Sequence, residues 1–154
     1  MPYNGAMDSP CNAGAIRKAS RRVTQLYDDA LAPSGLRSTQ YTILFELSRR
    51  VNDPPTMREL AAVLIMDRSA LGHTVRPLER DGLIALVPST KDRRLTLLTL
   101  TAAGRARCRE AQRLWQQGQD HFENIVGKDE AAALRRALLV IARDERLARV
   151  GIEQ

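Results

Sequence analysis

Aromatic residues make up only 4% of this 154-residue chain, which has two cysteines, two histidines and one tryptophan. Each scarcity excludes something. Cys11 and Cys108 stand far apart and form neither a metal-like nor a CxxC pattern, so a disulfide framework is not indicated. His73 and His121 have no acid or nucleophile placed to complete a triad. There is also no phosphate-cradling glycine loop, no HExxH and no paired-carboxylate motif. An enzyme is therefore not expected, and neither is a cofactor or a bound metal. No apolar run approaches the roughly 18 residues that a membrane span needs, and no basic segment followed by an apolar one stands near residue 1. The expectation is a cytoplasmic protein without membrane contact.

What the chain does have is charge and apolar periodicity. Its formal net charge is +6 and its pI about 10.0, which favours nucleic acid or anionic surfaces. Its length suits one compact domain with a respectable core. The charge is spread out, however: residues 55–100 hold seven Lys/Arg against five Asp/Glu, so placement rather than total charge carries any argument about nucleic acid.

The most informative stretch is 56–101. Thr56 followed three residues later by Glu59 is a capping box that opens a short helix buried through Leu60, Ala61 and Leu64. Asp67 caps a second helix, in which Leu71, Val75 and Leu78 form one stripe. Its opposite side carries Ser69, His73, Arg76 and Arg80, with Gly72 nearby. Such a face suits the major groove of DNA, where Arg pairs bidentately with guanine and small polar groups read base edges or phosphates. Pro77 lies inside this helix and removes one donor, so a kink or a loosened turn is expected. Asp81-Gly82 ends it. Two short strand-like runs follow at 83–87 and 95–100, separated by the basic tip Pro88-Ser89-Thr90-Lys91-Asp92-Arg93-Arg94, which reads as a β-hairpin. Its arginines suit the minor groove, with Asp92 holding one of them in place.

Here the chain resembles the MarR family of bacterial transcription regulators. The resemblance rests on MDRSALGHTVRPLERDGLI (66–84), on Asp92-Arg93-Arg94, and on the LTLT-AAG run at 98–104; LYDDALAPSGLRSTQYTILFEL (26–47) is similar to the family's first two helices. It implies a mainly α fold with a small β-hairpin wing, a winged helix-turn-helix flanked by N- and C-terminal dimerisation helices. The implied function is a sequence-specific, dimeric repressor that binds double-stranded DNA at an inverted-repeat operator and is released by a small molecule. The DNA-contacting set becomes Thr56, Arg68, Ser69, Ala70, Gly72, His73, Thr74, Arg76, Arg80, Lys91, Arg93 and Arg94. A short strand often precedes the first motif helix in this family and pairs with the wing; Pro54 and Pro55 make it short at best.

The organisation expected is an N-terminal arm at 1–11, helices at 12–51 that serve dimerisation and the link to the DNA-binding lobe, a winged lobe at 52–100, and C-terminal dimerisation helices at 101–154. Ile16, Ala19, Val23, Leu26 and Ala30 trace one face of the first helix. The second, apolar over more than one face, should be sandwiched between lobes. Thr101 caps a long helix whose seam runs through Cys108, Ala111, Trp115, Gly118, Phe122 and Ile125, and a final helix carries Leu134, Leu138 and Ile141. These seams ask for a partner, most economically a second copy.

Members of the family commonly bind aromatic or phenolic molecules in a cleft near the DNA-binding lobe. In this chain that cleft is expected between the first two helices, from Arg17, Ser20, Thr24, Tyr27, Tyr41 and Phe45, with Arg17 receiving an anion. Oxidation at Cys11 is a rival trigger, since some family members sense peroxide through a cysteine near the start of the first helix. The chain departs from that subgroup in its longer Cys11 to Tyr27 spacing and in having Ser38 where a second tyrosine would stand. A winged-helix module that contacts protein instead of DNA is the other alternative.

Overall fold

In the computed structural model, residues 10–148 are described; apart from Pro10 and Cys11, the arm expected at 1–11 lies outside them. Six helices and one hairpin follow in order: α1 Asn12–Leu31, α2 Ser38–Arg49, α3 Met57–Leu64, α4 Arg68–Arg80, β1 Ile84–Pro88, β2 Thr96–Leu100, α5 Ala102–Val126 and α6 Lys128–Arg143. The mainly helical fold with a two-stranded wing matches the sequence reading.

Local chemistry sets these boundaries. The Thr56 hydroxyl accepts from the Glu59 amide (3.3 Å), while the Glu59 carboxylate accepts from the Thr56 amide (2.8 Å) and hydroxyl (3.0 Å), closing the capping box. These bonds hold the Glu59 carboxyl below its ordinary range. Asp67 accepts from the Ala70 amide (2.8 Å) to start α4. The end of α4 is a Schellman turn: the Leu83 amide donates to Leu78 and that of Gly82 to Glu79, with Gly82 at φ 73°. Pro77 leaves one carbonyl without its helical donor, yet α4 runs as one continuous helix to Arg80.

The same turn closes α3, where the Met66 amide donates to Ala61 and that of Ile65 to Ala62. Its left-handed residue is Ile65 (φ 52°), a β-branched side chain in a conformation that suits glycine. It is 63% exposed, so little packing offsets the strain.

The hairpin pairs Ile84 with Leu100 and Pro88 with Thr96 in antiparallel register. Thr56 adds an isolated bridge to Leu97, and the Leu98 amide donates to the Pro55 carbonyl (2.8 Å). The prolines thus shorten the extra strand to a single bridge, as their missing donors require. Leu60, Leu71, Val75, Leu78, Ile84 and Leu98 close the core of this lobe, and α2 is sandwiched above it through Tyr41, Ile43, Leu44 and Leu47.

The seam of α5 packs within the chain. Cys108, Ala111 and Gly118 are buried, and Trp115 is half-buried against the core. At Gly118 a Cβ would sit 3.2 Å from both Ala30 and Tyr27, so glycine lets α1 lie close across α5. Only the far end, Ile125, is left exposed. On α6 the apolar residues are largely uncovered: Leu134, Leu138, Leu139, Val140 and Ile141 are all exposed. At about 100° per residue they span more than half the helix circumference, so α6 needs cover on two sides.

The join between lobes is made at Thr101. Its hydroxyl donates to the Gly82 carbonyl (2.6 Å) and accepts from the Gly104 amide (2.9 Å), and its amide donates to Leu83 (3.2 Å). A Cβ on Gly104 would collide with the Leu83 carbonyl. Gly104→Ala should therefore cost about 2 kcal/mol or more in a urea titration; unchanged stability would contradict this close approach. In the same assay Ile65→Gly should raise stability by about 1 kcal/mol, and a loss would show that Ile65 is not strained.

Candidate nucleic-acid interface and helical cavity

With Leu71, Val75 and Leu78 buried, the opposite side of α4 is presented to solvent. Arg68, Ser69, His73 and Arg76 are exposed, and Ala70, Gly72 and Thr74 are partly so. The Thr74 hydroxyl donates back to the Ala70 carbonyl (3.1 Å), and that of Thr56 is engaged by its cap, so these two hydroxyls already have partners. Arg80 lies 3.5 Å from Asp81 at the end of the helix. Among the described residues no carboxylate comes within salt-bridge distance of Arg68, Arg76 or Arg93. Cations held on a rigid helix without a counter-charge suit an external polyanion.

The wing tip is built rather than loose. The buried Ser89 hydroxyl accepts from the Lys91 and Asp92 amides (3.2 and 3.3 Å). Asp92 Oδ1 accepts from the Arg94 amide and Nε, and Oδ2 from Arg94 Nη2, each at 3.0 Å. Asp92 therefore holds Arg94 and leaves Arg93 and Lys91 exposed beside it. These bonds hold the Asp92 carboxyl below the ordinary carboxylate range.

A second concavity lies in the helical half. A cavity of about 700 Å³ opens between α1, α5 and α6 and not, as expected, between the first two helices. Of the six residues proposed from sequence, Ser20, Thr24 and Tyr27 line it, whereas Arg17, Tyr41 and Phe45 do not. Tyr41 is 5% exposed beneath Trp115 and adjoins Phe45, whose ring has Arg49 at 6.0 Å. Burial pushes the Tyr41 phenol up to about 12. Gln119, Phe122, Leu134, Arg135 and Leu138 complete the cavity wall; from sequence, Phe122, Leu134 and Leu138 were expected only on helix seams, and Gln119 and Arg135 were not singled out. Within the cavity wall, the Tyr27 hydroxyl donates to Gln119 Oε1 (2.6 Å), and Gln119 Nε2 donates to Glu123 (2.6 Å). The Tyr27 ring stacks on Trp115 with centroids 6.3 Å apart.

The cysteines and His121 sit apart from the α4 face and the wing. Cys11 is exposed and caps α1, its Sγ accepting from the Gly14 amide (3.3 Å). Cys108 is buried against α2, and burial pushes its thiol up. His121 is exposed on α5, far in sequence from His73 of the α4 face.

The M. tuberculosis transcriptional regulator MosR, solved in complex with DNA, is 33% identical to this chain, with a TM-score of 0.79 over 91% of this chain and 99% of MosR. The family model described as "MarR family" matches residues 34–95, from the turn after α1 to the wing. The chain belongs to the MarR family. This MarR-family chain is also similar to a transcriptional repressor CouR, solved bound to a 23-mer DNA duplex and, in another structure, bound to p-coumaroyl-CoA. In the DNA-bound form it is 29% identical, with a TM-score of 0.78 over 86% of this chain and 93% of CouR. The transcriptional activatory protein BadR of Rhodopseudomonas palustris is 38% identical over 77 residues, which are 49% of this chain and 44% of BadR. The chain thus spans less than half the length of that relative.

Asp92 yields a pH prediction. Its folded pKa is depressed, so the order it gives the wing tip is present above the ordinary carboxylate pKa and lost only as pH falls through the lower folded value. Exchange of the Arg94 amide, followed by NMR, should stay slow through the ordinary carboxylate range and become fast at neutral pH in Asp92→Ala. Equal rates in the two proteins would contradict the clamp.

Proposed function

We propose that this chain is a homodimeric, sequence-specific DNA-binding transcription regulator acting in the cytoplasm. Its two α4 helices enter successive major grooves of an inverted repeat, and its wings contact the flanking minor grooves. The observation that carries the reading is the pairing of α4, with Ser69, His73 and Arg76 exposed and Arg76 without a carboxylate partner, with a wing whose arginine is fixed by Asp92. The DNA-bound MosR and CouR structures support it. A second copy covers the side of α6 turned from the cavity, through Val140 and Ile141, which would otherwise leave contiguous apolar surface in water.

We further infer that a small effector controls it, in keeping with the CouR complex with p-coumaroyl-CoA. The cavity between α1, α5 and α6 is the candidate site. A ligand acts by favouring one spacing of the two α4 helices over the other, which requires different affinities for the two dimer geometries. No step of this reading is catalytic.

Fluorescence anisotropy on the DNA upstream of the protein's own gene tests it. Binding should weaken steeply with salt, Arg76→Ala should lose about 10-fold or more in affinity, and Arg93→Ala should lower the salt slope by about one. Undiminished binding by both variants would overturn the assignment of this surface.

A further inference from the structure

One residue in the turn between α3 and α4 is held against its own preference. Among the described residues Ile65 is the single non-glycine with a positive φ, 52°, and a β-branched side chain there is a steric outlier. The turn leaves it no room to relax. The Ile65 amide donates to Ala62 (3.3 Å), the Met66 amide donates to Ala61 (2.9 Å), and Leu64 and Met66 on either side pack against the core. The lobe gains nothing from the side chain in return, since Ile65 is 63% exposed. Backbone strain that packing does not offset gathers at positions that serve function.

We propose that Ile65 reads sequence, its side chain packing on the 5-methyl group of a thymine at the major-groove edge beside the start of α4. The proposal rests on the regulator reading above and adds to it a specificity-determining residue outside the α4 face. Three observations select this contact. Ile65 stands two residues before Asp67, the cap of α4, at the end that also carries the exposed Arg68 and Ser69. In a helix-turn-helix this N-terminal end meets the base edges. The side chain has no hydrogen-bonding group, so the feature of a base pair that it can recognise in the major groove is the thymine methyl. A protein partner is the rival, but Val63 and Ile65 are the exposed large apolar residues of α3 and its turn. They fall well short of the roughly 1,000 Å² that a specific protein interface buries.

The strain itself has a use in such a contact. A left-handed residue fixed by two hydrogen bonds holds its Cβ in one direction, so its ordering cost is met before DNA arrives. Arg68, which has no carboxylate partner among the described residues, can meet a phosphate whatever the sequence, whereas a methyl contact discriminates between bases. Glycine in place of Ile65 would relieve the strain and read nothing. Stability and recognition should therefore move in opposite directions on substitution, which a residue kept for packing would not show.

The test uses the full chain and two versions of the duplex upstream of its own gene, one with thymine and one with uracil throughout, which differ only in the 5-methyl groups. Wild type, Ile65→Val, Ile65→Gly and Ile65→Asn are compared by fluorescence anisotropy, glycine and asparagine being the residues that accept a left-handed backbone. The loss of affinity from thymine to uracil should be larger for wild type than for the Gly and Asn variants by about 3-fold or more, the worth of one buried methyl. Methyl groups read by other residues cancel in this comparison, because they are removed equally for every protein. Ile65→Val should keep most of the wild-type ratio. The Gly variant should at the same time resist urea better than wild type. A thymine-to-uracil ratio that is the same in all four proteins would overturn the proposal, whether the Gly and Asn variants bind both duplexes as wild type does, which leaves Ile65 to another partner, or bind both more weakly, which places it on the sugar-phosphate backbone. Wild type that prefers neither duplex over DNA of random sequence would instead bring down the regulator reading, and the contact with it.

Discussion

The structure turns on one hydroxyl. Thr101 donates to the carbonyl of Gly82, the residue that terminates the recognition helix, and accepts from Gly104 in the first turn of α5. Because Gly104 has no side chain, α5 can start against the Leu83 carbonyl, so α4 and the long helix that leaves the wing are joined across a few atoms. A rotation of α5 must then carry α4 and the hairpin with it. Loops would absorb such a motion, whereas a capped, close-packed joint transmits it.

Farther along, α5 belongs to the helical half. Arg107 donates to the Ser34 carbonyl (2.8 Å) at the turn between α1 and α2, and Asp28 of α1 accepts from the Ser38 amide (2.7 Å) at the start of α2. Gly118 and Trp115 then form the bed on which Tyr27 lies. One rigid helix is therefore gripped at its start by the DNA-facing lobe and at its middle by α1 and α2. The connection between the helical half and α4 runs along α5.

Much of the fold was legible because its boundaries are set by local chemistry. Thr56, Asp67 and Thr101 each satisfy orphan amides, and Gly82 supplies a left-handed residue, so sequence spacing alone locates α3, α4, the hairpin and α5. The exposed face of α4 was legible for the same reason, since three buried residues on one stripe determine the opposite side. The cavity was not. Which helix α1 meets depends on the 3.2 Å approach at Gly118, a tertiary fact, and this brings α5 and α6 to Tyr27 while Tyr41 sinks beneath Trp115. Apolar periodicity says that α6 needs cover but not from which side. Ile65 shows the opposite limit: no glycine marks the place where the backbone turns left-handed after α3, so that turn is not legible from residue type.

The central claim is that α5 sets the separation of two recognition helices. The direct measurement is the distance between spin labels at Ser69→Cys in the two protomers, in a chain with Cys11→Ser and Cys108→Ala, by double electron–electron resonance. Adding upstream DNA should narrow the distribution around a single separation compatible with one turn of the duplex, roughly 34 Å. A distribution that is the same with and without DNA, or the absence of any interprotomer distance, would contradict the account.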